Sequence, residues 1–195
     1  MRAKLLLCIL IIFLGGCALP SFVPNATSLS AGVNEIVVIG KIELDPPVNA
    51  NLEQQTHWNV VGDGRILNQL SMATGASPEP VSTSPIRMRD WQAGIDAKWG
   101  EIFVVKMPRQ RTFFRGAMMQ LDVMSQDRLW FPGGVYFDIP DGAQAIYIGT
   151  LRYYRDDFNV ILRAEVIDEF NTTKSELKQR FANTELIQRS LLQFF

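Results

Sequence analysis

Between Glu101 and Ile167 apolar and polar residues alternate in six runs, 101–107, 112–123, 128–131, 135–139, 143–154 and 159–167. Alternation with a period of two puts successive side chains on opposite faces, so each run reads as a strand. Short turn signals separate them: Met107-Pro108-Arg109, Ser125-Gln126-Asp127, Pro132-Gly133-Gly134, Pro140-Asp141-Gly142 and Arg155-Asp156-Asp157. Connections this short join neighbouring antiparallel strands and leave no room for crossover helices. In the last run Arg163 and Glu165 share a face, which predicts a sheet wetted on that side. Several such strands argue for an antiparallel sandwich or barrel. The expectation is a mainly β chain, an antiparallel β-sandwich with a long irregular insertion and a C-terminal helix.

The domain opens on a further strand over 35–44, where Ile36, Val38, Ile42 and Leu44 share one face. The opposite face changes along its length, from Val37 and Ile39 to Lys41 and Glu43. Gly40 falls on the inward face, where a bulge or close packing is expected. Asp45-Pro46-Pro47 ends the strand by removing backbone donors. Residues 49–98 are the irregular insertion: Gly62-Asp63-Gly64 is a turn signal, 75–85 is rich in Ser, Thr and Pro, and 65–72 fits a short helix or a strand. At the C-terminus, Thr173-Lys174-Ser175-Glu176 has the form of a capping box. Leu177 and Phe181 follow at helical spacing, and Leu186, Ile187, Ser190 and Leu191 resume it after a break near Ala182-Asn183.

The N-terminus is of another kind. Arg2 and Lys4 precede ten uncharged apolar residues, 5–14, and then Gly15-Gly16-Cys17. Ten helical residues cover roughly 15 Å, about half the hydrocarbon thickness of a bilayer. Leu14-Gly15-Gly16-Cys17 resembles the lipobox of bacterial lipoproteins. The resemblance implies that residues 1–16 are a signal peptide, cut before a Cys17 that carries lipid. Cys8 would leave with the signal, so no disulfide, cysteine metal site or thiol nucleophile would remain. Residues 17–34 are expected to form the lipidated cysteine and a flexible tether, although Leu19, Phe22 and Val23 are apolar enough to press onto the bilayer or the domain. Residues 35–195 form a single globular domain. In the sorting rule of many Gram-negative lipoproteins, aspartate after the cysteine favours the inner membrane. Ala18 in that place implies an outer-membrane address, with the domain facing the periplasm.

Without Arg2 and Lys4 the chain holds 17 basic and 20 acidic residues, a formal net charge of −3. Arg109, Arg111 and Arg115 are the densest basic cluster, but Thr112, Phe113 and Phe114 interleave them, as on a solvated strand. An exported chain of this charge is not expected to meet nucleic acid. Pro132 to Gly142 resembles the glycine, aromatic, Pro-x-Gly segment of transthyretin-like or carboxypeptidase-regulatory-like sandwich domains. Ala145-Ile146-Tyr147-Ile148-Gly149-Thr150-Leu151 is similar to a segment of uncharacterised bacterial lipoproteins. Neither resemblance implies catalytic residues. The terminal Phe194-Phe195 is similar to the C-terminal phenylalanine of outer-membrane barrels, but the helical spacing before it favours an apolar helix end docked on the sheet.

Catalytic motifs are missing. His57 is the one histidine, and no Gly-x-Ser-x-Gly elbow, His-Glu-x-x-His or phosphate-binding glycine loop is present. No catalytic, cofactor or metal residues are therefore assigned. Asp156 and Asp157 read as turn residues, and Asp168 and Glu169 as acids at a helix start. The expected function is a non-catalytic binding or accessory module anchored by Cys17, with Trp130, Phe131, Tyr136, Tyr153 and Tyr154 as candidate contact residues for an envelope protein or as core. A lipid- or glycan-binding protein, with a cavity between sheet and helix, is the first alternative. A hydrolase using convergent carboxylates is the second.

Overall fold

A computed structural model describes residues 22–48, 67–79, 93–120 and 128–195. Its strands are β1 (Glu35–Asp45), β2 (Gln69–Gly75), β3 (Ala93–Lys98), β4 (Ile102–Pro108), β5 (Thr112–Gln120), β6 (Arg128–Phe137), β7 (Ala145–Arg155), β8 (Ile161–Ile167), β9 (Ile187–Arg189) and β10 (Gln193–Phe194). The helix α1 (Phe170–Leu177) lies between β8 and β9. One sheet has the order β4-β1-β7-β8, with β9 also on β7, and the other β10-β6-β5-β2-β3. This is the mainly β, sandwich-like fold with a C-terminal helix that the sequence predicts. Most pairings are antiparallel, but β1 and β9 run parallel to β7. Parallel pairing of β1 is possible because β2 to β6 lie between it and β7 in the chain, which leaves ample length for the crossover. Within the stretch 49–98, β2 and β3 form an antiparallel pair. His57, Trp58 and Trp91 lie outside the described residues.

The core between the sheets is closed by Ile36, Val38, Ile42 and Leu44 of β1 against Leu70, Met72, Phe114, Phe131 and Phe137. A second core lies on the outer face of β1 and β7, where Val37, Ile39, Ala145 and Tyr147 meet Leu177 of α1 and Ile187. The apolar half of the outer face of β1 is thus the half that α1 and the C-terminal segment cover. A Cβ on Gly40 would stand 2.6 Å from the Phe103 ring, the close packing expected there. Its partner β7 carries the bulge. Ile39 pairs with Tyr147 but Lys41 with Thr150, leaving an extra β7 residue. Gly149 absorbs it at φ 96°, so Ile146 and Ile148 on one side and Leu151 and Tyr153 on the other all point into the core.

Three sequence expectations are corrected. Pro132-Gly133-Gly134 is not a turn: β6 runs through it, and the pairing with β5 shifts between Phe114 and Gly116. A Cβ on Gly133 would lie 2.4 Å from the backbone carbon of Arg115, so the glycine serves close strand approach instead of reversal. The capping box does not start the helix. Glu169 is the N-cap without a side-chain cap bond, and Thr173 is buried a turn inside. The Phe170 N–H donates instead to Asp168 Oδ1 at 3.1 Å, which keeps both acids at the helix start as expected. The second helical stretch is replaced by a 3₁₀ turn (Thr184–Leu186) after Asn183 at φ 61°, and by β9 and β10. The bare edge of β7 at Ala145–Tyr147 supplies backbone partners that outweigh the helical spacing of four side chains.

The termini sew the sandwich shut. Residues 22–34 are not a tether but a strap. The Val23 N–H donates to Gly94 O of β3, and the Ala26 N–H donates to Val104 O of β4, with Ala26 and Leu29 buried. Of the tether expected over 17–34, the described part, 22–34, is thus bound to the sandwich. On the opposite side the C-terminal segment crosses from β7 to β6. The Ser190 N–H donates to Tyr147 O and the Phe195 N–H to Gly134 O, while Leu192 enters the core. Phe194 and Phe195 thus dock as a strand end, not as a helix end.

Candidate functional site

Beyond the reach of α1 the outer face of β1, β7 and β8 turns polar. Strand register sets Glu43 opposite Arg152 and Arg152 opposite Glu165, an acid–base–acid row across three strands. The Arg152 Nε and Nη2 both donate to Glu43 Oε2, at 2.8 and 2.7 Å. Lys41 Nζ bridges Glu43 Oε1 at 2.8 Å and Glu169 Oε2 at 2.7 Å. Thr150 Oγ1 donates to Glu169 Oε2 at 2.7 Å, tying the first residue of the helix cap to the sheet. Tyr154 donates to Glu165, whose other oxygen accepts from Arg163 Nη1 at 2.8 Å. The Arg163 guanidinium also lies 3.4 Å from the centre of the Tyr154 ring.

These contacts fix the charges. Burial pushes the Glu43 carboxyl up, but hydrogen bonds from Lys41 and Arg152 outweigh it and hold the group below the usual carboxylate range. Lys41 and Thr150 do the same for Glu169, and Tyr154 and Arg163 for Glu165. Burial lowers the Lys41 ammonium, yet Glu169 and Glu43 raise it above the ordinary lysine value. Bonds with Tyr154 and Glu43 hold the Arg152 guanidinium firmly protonated.

The ladder ends in a cleft of about 480 Å³ where β1 leaves the sheet. Glu43, Asp45, Asn68, Trp99, Val48 and Arg152 line it. Trp99 is held from three sides. Its N–H donates to Asn68 O at 3.2 Å, its indole Nε1–H points to Met119 Sδ at 3.3 Å, and its ring lies 5.1 Å from Phe131. The Gly100 N–H donates to Ile42 O, pinning the β3–β4 corner to β1. The cleft therefore offers an indole, an amide, carboxylates and a guanidinium on a braced backbone.

The residues singled out in the sequence are dispersed. Phe131 and Tyr153 are core, and the Tyr153 hydroxyl donates to Pro132 O at 2.7 Å. Trp130 packs on Ala73 and Met118. Tyr136 stacks with Phe113 on the other sheet, at 5.6 Å, and only Tyr154 joins the ladder. The five aromatics form no single contact patch. Asp156 Oδ1 accepts from the N–H groups of Phe158 and Val160, the turn role expected of it. Arg109, Arg111 and Arg115 are spent on Ala143 O, Asp138 and Glu79 O respectively, so they make no common anion site. The space between sheet and helix is filled by Tyr147, Leu177 and Ile187. Cys17 lies outside the described residues. Among those residues no group of three His, Cys, Asp or Glu is placed to hold a metal. None of the described helices is long and apolar enough to cross a membrane.

Sequence reasoning missed Lys41, Glu43, Thr150 and Asn68 as site residues. The charged half of the outer face of β1 was the available signal, but its partners depend on a parallel pairing 109 residues away in sequence. Comparison with known protein families finds no match, and neither a curated protein nor a solved structure matches the chain.

Proposed function

We propose that this chain is a bacterial envelope lipoprotein, held by lipid on Cys17, whose domain is a non-catalytic binding module for another envelope component. The component that fits the cleft best is a saccharide. The observation that carries this is the braced Trp99 facing Asn68, Asp45 and the Glu43–Arg152 pair across about 480 Å³. An indole covers the apolar face of a sugar ring, while carboxylates, an amide and a guanidinium exchange hydrogen bonds with hydroxyls. Glu43, Glu165 and Glu169 are all held ionised by cations or hydroxyl donors, which is the wrong direction for the general acid of a glycosidase. That favours holding a ligand over cutting one.

The strap supports the membrane-local part of the reading. Four residues lie between Cys17 and Phe22, and the five steps along the chain reach at most roughly 18 Å. Asn25 bridges Val105, which pairs with Val38, while the cleft lies seven residues further along β1 at Asp45, roughly 23 Å away. The domain would sit close to the bilayer with its cleft turned away from the strap.

Titration of the purified chain with soluble peptidoglycan and other envelope glycan fragments tests the proposal, followed by tryptophan fluorescence and amide chemical shifts. Saturable shifts at Asn68, Trp99 and Gly100 are expected. Asn68→Ala should weaken binding about tenfold, the equivalent of about 1.4 kcal/mol, with unchanged thermal stability. Absence of binding to every glycan offered, or steady turnover of one, would refute the proposal.

A further inference from the structure

The sheet of β1, β7 and β8 ends on β8, whose outer edge has no strand partner among the described residues. Its charges, Arg163 and Glu165, are of opposite sign, so they restrict the register of an added strand instead of repelling every one. The hairpin leading into β8 exposes Phe158 at 81 % and Val160 at 55 %, and Leu162 on the strand itself is 65 % exposed. A row from Asn25 through Val105 and Val38 reaches Ile146 of β7, and β7 ends nine residues further on at Arg155, where the hairpin that carries the exposed tip begins. At about 3.3 Å per residue, that sets the tip roughly 30 Å along the sheet from the strap. The apolar edge thus points away from the end at which the chain enters the fold, which favours a protein over the bilayer as its cover.

The order of charges on the edge selects the protein. An added strand continues both faces of a sheet only if residues of like orientation stand opposite one another. For antiparallel pairing of β8 with a second β8, this restricts the register to alternate settings. Centring on Arg163 or on Glu165 would set like charges opposite each other, which is destabilising. Centring on Ala164 sets Arg163 opposite Glu165 of the second copy, and Glu165 opposite its Arg163. We propose that two copies of this chain associate by antiparallel pairing of their β8 strands about Ala164, joining two five-stranded sheets into one of ten strands. The two-fold symmetry repeats each contact, and the interface leaves the cleft at Trp99 on either side untouched.

Charge reversal tests this register directly. The full chain, purified in density-matched detergent micelles, is examined by sedimentation equilibrium. The wild type is expected to be a dimer. Arg163→Glu alone would place four acids along the seam and Glu165→Arg alone four bases, so each should sediment as a monomer. An equimolar mixture of the two variants should recover the dimer, as should one chain carrying both substitutions. Recovery in the mixture also shows that the single variants are folded. A wild type that stays monomeric at every accessible concentration would overturn the proposal. So would single variants that dimerise as well as the wild type. Both outcomes are independent of glycan binding at the cleft.

Discussion

Gly149 shows how much of this fold rests on single backbone positions. At φ 96° it takes up the extra residue of β7, and a Cβ there would stand 3.0 Å from Val166 and 3.3 Å from Ile167 O. Gly149→Ala should cost about 1–3 kcal/mol from the positive φ alone, read as a lower midpoint in chemical denaturation with an unchanged slope. A cost within error of zero would mean that β7 carries no bulge there. The position was legible in part. The inward residues Ile146, Ile148, Leu151 and Tyr153 change parity across Gly149, and a glycine at a parity change is a bulge signal. Pro132-Gly133-Gly134 carries the same composition yet misleads. Proline and glycine mark a break in regular pairing, and they do not say whether the chain then turns back or continues.

At the scale of elements, the charge ladder joins β1, β7, β8 and the start of α1 into a unit whose strength depends on pH. Glu43 and Glu169 have folded pKa values below the ordinary 4.5, so the unfolded chain takes up protons first as the pH falls. Their contribution is fully present above about pH 4.5 and is lost as the pH drops through the folded values. Unfolding free energy should therefore decline below that pH. Lys41→Met, which removes the shared cation, should flatten the decline, measured by denaturant titration at a series of pH values. An identical slope in wild type and variant would rule out the coupling. None of this was readable strand by strand. Lys41 and Glu43 announce a wet half-face, but which charges meet them is set by pairing with a strand laid down about a hundred residues later. The C-terminal elements failed for a related reason. Helical spacing at Leu186, Ile187, Ser190 and Leu191 is a local signal, and an unfilled strand edge is a stronger, non-local one.

For the whole molecule, the two termini act as straps on opposite sides of the sandwich, and the N-terminal one sets the distance to any anchor. Cys17→Ser should abolish lipid labelling and release the chain from the membrane fraction or leave it unprocessed, while the melting temperature of the domain stays the same. Unchanged membrane retention of the variant would refute lipid anchoring through this residue. Because Ala26 and Leu29 are buried in the described fold, the strap belongs to the domain and moves with it.

The sequence by itself determined the β class, the positions of β1, β4, β5, β7 and β8, the end of β1 at the two prolines and the apolar-to-polar change along its outer face. All of these follow from alternation and turn chemistry within a few residues, which local sterics and side-chain direction impose directly. Only the tertiary structure decided that β1 and β7 run parallel, that the C-terminus is strand beyond its one helix, that residues 22–34 are bound, and that Trp99, Asn68, Glu43 and Arg152 share a cleft. Those features depend on which strand edges are left unpaired once the sheets assemble, and unpaired backbone groups are satisfied by whatever segment can reach them.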